Sequence, residues 1–186
     1  MKKNLGSMLA LYPLPATLVG AMVDGKPTWL EVAHVGIIGH DRIMVSSMKS
    51  HFTNQGIRAT GGLTVSLVDE ALLPRVVYVG AHSGKKVDKS GVFAWEAAKN
   101  GAPVPVDAPL TLVCNVEDIY ETETFDNFIC SIAATLVDED KLDDAGKPDY
   151  EKLAPVLFEF PTYSYLACGK KLGPCLSFKD AYQPEA

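Results

Sequence analysis

The chain contains no Cys-x-x-Cys pair, no Gly-x-Ser-x-Gly elbow, no His-Glu-x-x-His helix and no Gly-x-Gly-x-x-Gly turn. Each absence removes a class of chemistry. Without the elbow or the zinc helix, hydrolase and metalloprotease readings fall away. The four His residues are not spaced as zinc ligands around Cys114, Cys130, Cys168 and Cys175, so no metal site is expected. A Walker phosphate loop is missing too: only three residues separate Gly80 from Gly84, and Lys86 stands where a hydroxyl is required. Positive charge is in deficit, with 17 Lys and Arg against 23 Asp and Glu and a net charge of −6. That balance argues against a general nucleic-acid binder or an anionic-membrane binder. Residues 4–23 carry no charge and follow Lys2 and Lys3, which superficially fits a secretory signal. Pro13 and Pro15 would break its apolar helix, and Asn4, Gly6 and Thr17 dilute it, so neither a signal nor a membrane span is expected.

What remains is an ordinary globular composition, 47% apolar and 22% charged over 186 residues. No repeat, low-complexity stretch or convincing linker divides it, so residues 1–186 are expected to form one domain. A domain of that size buries roughly 70% of the surface its unfolded chain exposes. Cys114 and Cys130 lie in apolar, strand-like runs and read as buried, inert thiols. Four thiols in such a chain suit a reducing cytoplasm.

The dominant local pattern is β. Ala16–Val23 is apolar and β-branched and runs into the turn signal Asp24-Gly25-Lys26-Pro27, after which Thr28–Ile38 is extended. Arg42–Ser47 and Leu63–Val68 make two further strands, with a short helix over Phe52–Ala59 between them, stopped by Gly61-Gly62. Residues 69–79 are ambiguous, with Asp69–Leu73 able to open a helix that Pro74 disturbs. Val92–Asn100 is expected to be helical, capped by Gly101. Leu110–Tyr120 and Phe128–Val137 form a long apolar strand pair, Asp138–Asp149 is a solvated acidic loop, and Tyr163–Cys168 is a final strand. Many strands, few short helices and no βαβ rhythm favour a mainly β, antiparallel barrel or sandwich over a Rossmann sheet.

Two donor-rich loops carry the chemistry. The strand ending at Val45 breaks into Ser46-Ser47-Met48-Lys49-Ser50-His51 and then opens a helix at Phe52-Thr53. Free backbone N–H groups, hydroxyls and cationic side chains gathered at a helix start are what a phosphate-bearing anion needs. The second loop, His82–Lys89, follows about thirty residues later. Two such loops point to a phosphorylated cofactor.

These segments resemble the flavin reductase-like family, the FMN-binding split-barrel proteins that include flavoredoxin. Tyr12-Pro13-Leu14-Pro15-Ala16 resembles the family's Tyr-Pro-x-Pro-Val opening, and Gly25-Lys26-Pro27-Thr28 its Gly-Lys-Pro-Asn turn. Ser50-His51-Phe52-Thr53 resembles its Arg-Tyr-Thr step, and Ser83-Gly84-Lys85-Lys86-Val87-Asp88-Lys89 its Ser-Gly-Arg-x-x-Asp-Lys. Tyr165–Gly173 resembles the closing Tyr-x-x-Leu-Gly segment, with Cys168 in place of Leu.

The resemblance implies a Greek-key split barrel, homodimeric, with FMN (FAD being the alternative) at the subunit interface. Ser46, Ser47 and Met48 would lay backbone groups along the isoalloxazine ring, and His51 and Thr53 would hold the ribityl phosphate. Ser83, Lys85 and Lys89 would close over the cofactor, while Thr28, Glu31 and His34 would line the ring's reactive side. Asn127 would reach the flavin from the partner subunit. Plainer roles stand beside these: Thr53 as a helix cap, His51 as a surface histidine, Lys89 paired with Asp88 or Glu96, Asn127 in a turn. Tyr163 and Tyr165 either pack near the dimethylbenzene edge or belong to the core. Two departures stand out, Thr28 where the family often has Asn and His34 where it has Trp; losing the larger ring weakens stacking on the flavin.

The expected function is that of a flavoprotein moving hydride or electrons from NAD(P)H through FMN to an acceptor, with no catalytic side chain required. The alternative from another class is a flavoredoxin-like carrier that exchanges electrons with a redox partner protein and has no NAD(P)H activity of its own. A cofactor-free barrel acting as a binding module is the third reading.

Overall fold

The computed structural model describes residues 1–179 together with 181 and 182. The chain forms β1 (Leu14–Pro15), β2 (Thr17–Val23), β3 (Lys26–Val32), β4 (Val35–Ile37), β5 (Arg42–Met48), α1 (Thr53–Thr60), β6 (Gly62–Leu67) and α2 (Leu73–Ala81). It continues through β7 (Trp95–Ala97), β8 (Pro103–Pro105), β9 (Leu110–Glu121), β10 (Phe125–Val137), α3 (Tyr150–Leu153), β11 (Leu157–Glu159) and β12 (Ser164–Leu166).

Seven strands make one antiparallel sheet in the order β3-β2-β6-β9-β10-β5-β4. Asp24 and Gly25 both adopt positive φ, 49° and 77°, which gives the β2–β3 hairpin the twist its strands require. The sheet curls into a half-barrel whose inward side chains meet: Ala21, Leu30, Val45, Leu63, Cys114 and Phe128 come from six different strands and share one core. A second core forms on the outer face, where α2 contributes Val76 and Val79 and packs with Leu18, Trp29 and Phe93. The outlying sheet β1-β11-β12 closes over the end of that core. Cys114 and Cys130 are fully buried, and burial pushes both thiols up to about 12, which leaves them chemically inert.

The β reading of the sequence holds, with local corrections. Thr28–Ile38 is not continuous; it breaks at Ala33-His34, where the His34 carbonyl accepts from the Ser46 amide at 2.9 Å. Val92–Asn100 is not a helix. Trp95–Ala97 pairs instead with Pro103–Pro105, and Gly101 takes φ 79° in the turn between them. The Asn100 amide ties this hairpin to β9 through the Cys114 carbonyl at 3.0 Å, and Phe93 is drawn into the outer core. Tertiary anchoring of this kind outweighs the helix propensity of a segment too short to nucleate alone. Pro74 starts α2 rather than disturbing it, because it falls in the first turn, where its missing N–H goes unused. The last strand is shorter than Tyr163–Cys168, and β11, its partner, carried no sequence expectation. Among the described residues no helix is long and apolar enough to cross a membrane, and no group of His, Cys, Asp or Glu is placed to hold a metal ion.

Candidate functional site

β5 ends at Met48, and a tight turn, His51 N–H to the Met48 carbonyl at 3.0 Å, swings the chain into α1. No side chain caps this helix; the cap position is Phe52, and Thr53, buried at 2% exposure, sits in the first turn. The cap role considered for Thr53 is therefore not the one it plays. Asn54 and Gln55 donate their N–H groups to the His51 and Phe52 carbonyls at 3.3 and 3.1 Å, which leaves the Phe52 and Thr53 amides for another acceptor.

On one side of this helix start lies a cleft of about 410 Å³ with Thr28, Phe52, Lys26, Lys85, Lys86 and Lys89 in its wall. The second donor-rich loop forms its other side. Gly84 packs so tightly on Phe52 that a Cβ there would stand 2.5 Å from the ring. Asp88 pairs with Lys26 at 3.1 Å, and hydrogen bonds from Ser90 first, then Lys26, hold its carboxyl below the usual carboxylate range. Lys89 pairs with neither Asp88 nor Glu96. It is buried, donates to the carbonyls of Val79 at 2.6 Å and Trp29 at 3.1 Å, and burial lowers its pKa.

On the other side lies a cavity of about 590 Å³, lined by Glu31, His34, Ser46, Met48, His51 and a collar of aromatic rings. Phe158, Phe160, Tyr163 and Tyr165 pack in T-shaped and tilted pairs around its mouth, and Tyr12 stacks on Phe160 with ring centroids 6.3 Å apart. His34 sits inside this collar, 6.1 Å from Phe160 and 6.3 Å from Phe125, and its Nε2 meets the Tyr12 hydroxyl at 2.6 Å. Burial lowers the His34 pKa, so the imidazole is neutral and accepts from the phenol. Glu31 accepts from the Tyr165 hydroxyl at 2.7 Å, and burial raises its pKa despite that bond. The closeness of α2 is required here: a Cβ at Gly80 would stand 2.7 Å from a Glu31 carboxyl oxygen.

The cleft and the cavity share a wall. His51 faces the cavity and Phe52 the cleft, and along β3 Thr28 faces the cleft and Glu31 the cavity. Of the residues singled out from the sequence, Glu31, His34, Ser46, Met48 and His51 meet at the cavity, and Thr28, Lys85 and Lys89 at the cleft. Ser47 and Thr53 are buried beside them. Ser83 lines neither hollow; it is exposed, and its hydroxyl accepts from the Lys85 amide at 3.3 Å. Asn127 lies opposite Ser46 across the β5–β10 ladder but is buried and donates to the Tyr120 carbonyl at 2.9 Å.

Sequence reasoning missed Tyr12, Phe125, Phe158 and Phe160. The only available signal was the run of aromatics at alternate positions near the end of the chain. It also missed the support beneath the helix start. Asn54 donates to the Asp126 carboxylate at 3.0 Å, Arg58 reaches the same carboxylate at 2.8 Å, and Asp126 is 2% exposed.

The model of the flavin reductase-like domain matches residues 8–166. The chain belongs to the flavin reductase-like family. No curated protein matches it. Among solved structures this flavin reductase-like chain is similar to a flavoredoxin from Methanosarcina acetivorans, with 31% identity over 97% of this chain and 98% of that one, at a TM-score of 0.92. It is similar likewise to the flavoredoxin of Desulfovibrio vulgaris (Miyazaki F), with 31% identity over 97% and 100% of the two chains and a TM-score of 0.89. An FMN-binding protein from Thermus thermophilus, 19% identical over 94% and 97% at a TM-score of 0.78, shares the split-barrel fold.

Proposed function

We propose that this protein binds FMN as a redox flavoprotein and that residues 1–186 act as one flavin-binding domain. The observation that carries the reading is the shared wall at His51-Phe52. A ligand with a flat, apolar ring system and an anionic tail fits an aromatic cavity on one side and a lysine cleft on the other. The names of the similar structures, flavoredoxins and an FMN-binding protein, favour the same cofactor.

Bound flavin supplies hydride and electron transfer. The chain's own residues bind and orient. The start of α1 and Lys85 attract the phosphate, with Thr53 and Lys89 beside it. The backbone of Ser46–Met48 lies along the ring, and the collar around His34 shields it from water. Glu31 lies along the ring's open side, whereas Thr28 faces the cleft that takes the tail. Ser83 positions the second loop through the Lys85 amide. FAD is the alternative cofactor.

The electron source separates two readings. An NAD(P)H-dependent flavin oxidoreductase bleaches flavin absorbance rapidly when mixed with NADH or NADPH; a carrier serving a redox partner protein does not. The likeness to two flavoredoxins favours the carrier as the second reading. A homodimer with the flavin at its interface completes the proposal. The long strands β9 and β10 give their largest apolar side chains to the core, Leu110 at 5% and Phe128 at 0% exposure. Exposed Ile37 and Ile38 at the β4 edge offer the apolar contact instead. The four unpaired thiols suit a reducing cytoplasm.

The test is the visible spectrum of the purified protein with mass identification of what it releases. A visible flavin absorbance band and release of FMN support the reading. Colourless protein that takes up no added FMN contradicts it.

A further inference from the structure

The hydrogen bonds behind His51 fix which of its nitrogens carries the proton. The side-chain nitrogen of Asn54 faces two acceptors, the Met48 carbonyl and the Asp126 carboxylate, each at 3.0 Å, so its amide cannot be turned over. Its oxygen therefore faces Ser47, whose Oγ stands 2.7 Å away. Two oxygens at that distance need a hydrogen between them, and only the Ser47 hydroxyl has one. Ser47 Oγ also stands 3.1 Å from His51 Nδ1, and with its hydrogen already committed it can only accept there. Nδ1 must then carry the imidazole hydrogen, which leaves Nε2 with a bare lone pair.

That chain of donors, His51 to Ser47 to Asn54, ends on a buried carboxylate. Each member donates toward Asp126, as a histidine is oriented when its far nitrogen serves as a base. Among the described residues no hydrogen bond reaches His51 Nε2, and the ring lines the 590 Å³ cavity. Protonating Nε2 would change that one atom from acceptor to donor and leave every other bond of the chain in place.

We propose that His51 is the proton acceptor of the site: its bare Nε2, facing the cavity that holds the ring, takes up one proton as the flavin is reduced. The inference rests on the flavin reading and revises the phosphate role considered for this residue, since a bare nitrogen repels an oxyanion. The balance is two electrons and one proton to the ring, and a second proton from solvent forming the Nε2–H bond. No protein bond breaks, and reoxidation releases both protons.

The charges facing His51 favour this sequence. Behind it, Asp126 is matched by Arg58 at 2.8 Å, and Glu121 pairs with both Arg58 at 2.7 Å and Lys49 at 2.8 Å. From the second loop Lys89 adds positive charge, and across the cavity stand Glu31 and the neutral His34. Burial first, and Lys89 second, lower the His51 pKa, so the ligand-free imidazole is neutral. A reduced ring brings negative charge beside Nε2 and raises that pKa again.

Two measurements test it. In protein labelled with 15N-histidine, the His51 signals, identified by their absence in His51→Gln, should show Nδ1 protonated and Nε2 bare at pH 7.5; the opposite tautomer overturns the proposal. In redox titrations from pH 6 to 8.5, the midpoint potential of the wild type should fall more steeply than that of His51→Gln. The difference expected is one proton per two electrons, about 30 mV per pH unit at tenfold proton activity per unit. Equal slopes overturn the proposal. If the variant does not retain FMN, the 15N titration of wild-type His51 decides: its midpoint must rise on reduction, and an unchanged midpoint counts against it. FMN bound with equal slopes ends this proposal alone, whereas protein that takes up no FMN ends the flavin reading as well.

Discussion

Tyr165 on β12 donates its phenolic hydrogen to Glu31 on β3 across 2.7 Å, joining residues 134 positions apart at the lip of the aromatic cavity. The bond holds a half-buried carboxyl in place and fastens the outlying sheet to the half-barrel. Tyr165→Phe should leave Glu31 without that donor and lower stability by about 1–2 kcal/mol in urea unfolding. A loss below a few tenths would show that the two sheets are held by apolar contacts alone.

The same carboxyl makes stability depend on pH. Burial raises the folded-state pKa of Glu31 above the ordinary 4.5, so the folded form binds this proton more tightly than the unfolded form does. Stability from the protonated group is full below about 4.5 and is lost as pH rises through the folded pKa. Relative to Glu31→Gln, the wild type should therefore weaken as pH climbs above 4.5. Parallel urea midpoints for the two proteins from pH 4 to 8 would contradict the burial of this group.

Asp126 anchors the start of α1 from below, through Asn54 and Arg58. Asp126→Ala should cost about 2 kcal/mol, because it strips partners from a buried amide and a guanidinium together. Arg58→Ala should cost less, since that side chain is 40% exposed and solvent screens its share. Guanidinium unfolding of the two variants and their double mutant measures the coupling; purely additive losses would exclude a shared network.

Gly84 lies against Phe52 where no side chain fits without moving something. Gly84→Ala should push the second loop off the helix start and weaken FMN binding at least tenfold, about 1.4 kcal/mol. The melting temperature should change little, because the loop is exposed and contributes few core contacts. Unchanged affinity would mean that this loop takes no part in the site.

Much of this was legible in the chain, and the pattern of failure is physical. The β2–β3 hairpin was readable because Asp24-Gly25 is a local signal with a steric reason. The two donor-rich loops were readable because backbone donors cluster within a few consecutive residues. Val92–Asn100 misled because its propensity is helical, while its fate is set by Phe93 in the outer core and by Asn100 bonded to β9. The aromatic collar was hidden because Tyr12, Phe125 and Phe160 meet only after the outlying sheet folds over β3. The buried carboxylate beneath α1 was hidden for the same reason, since Arg58 and Asp126 are 68 positions apart.

One titration addresses the shared wall at His51-Phe52 most directly: flavin-free protein titrated with FMN and with riboflavin, followed by quenching of flavin fluorescence. An aromatic cavity joined to a lysine cleft should bind one FMN per chain and should bind riboflavin at least tenfold more weakly, with Lys85→Ala narrowing that gap. Equal affinity for the two ligands, or no quenching by either, would contradict the account.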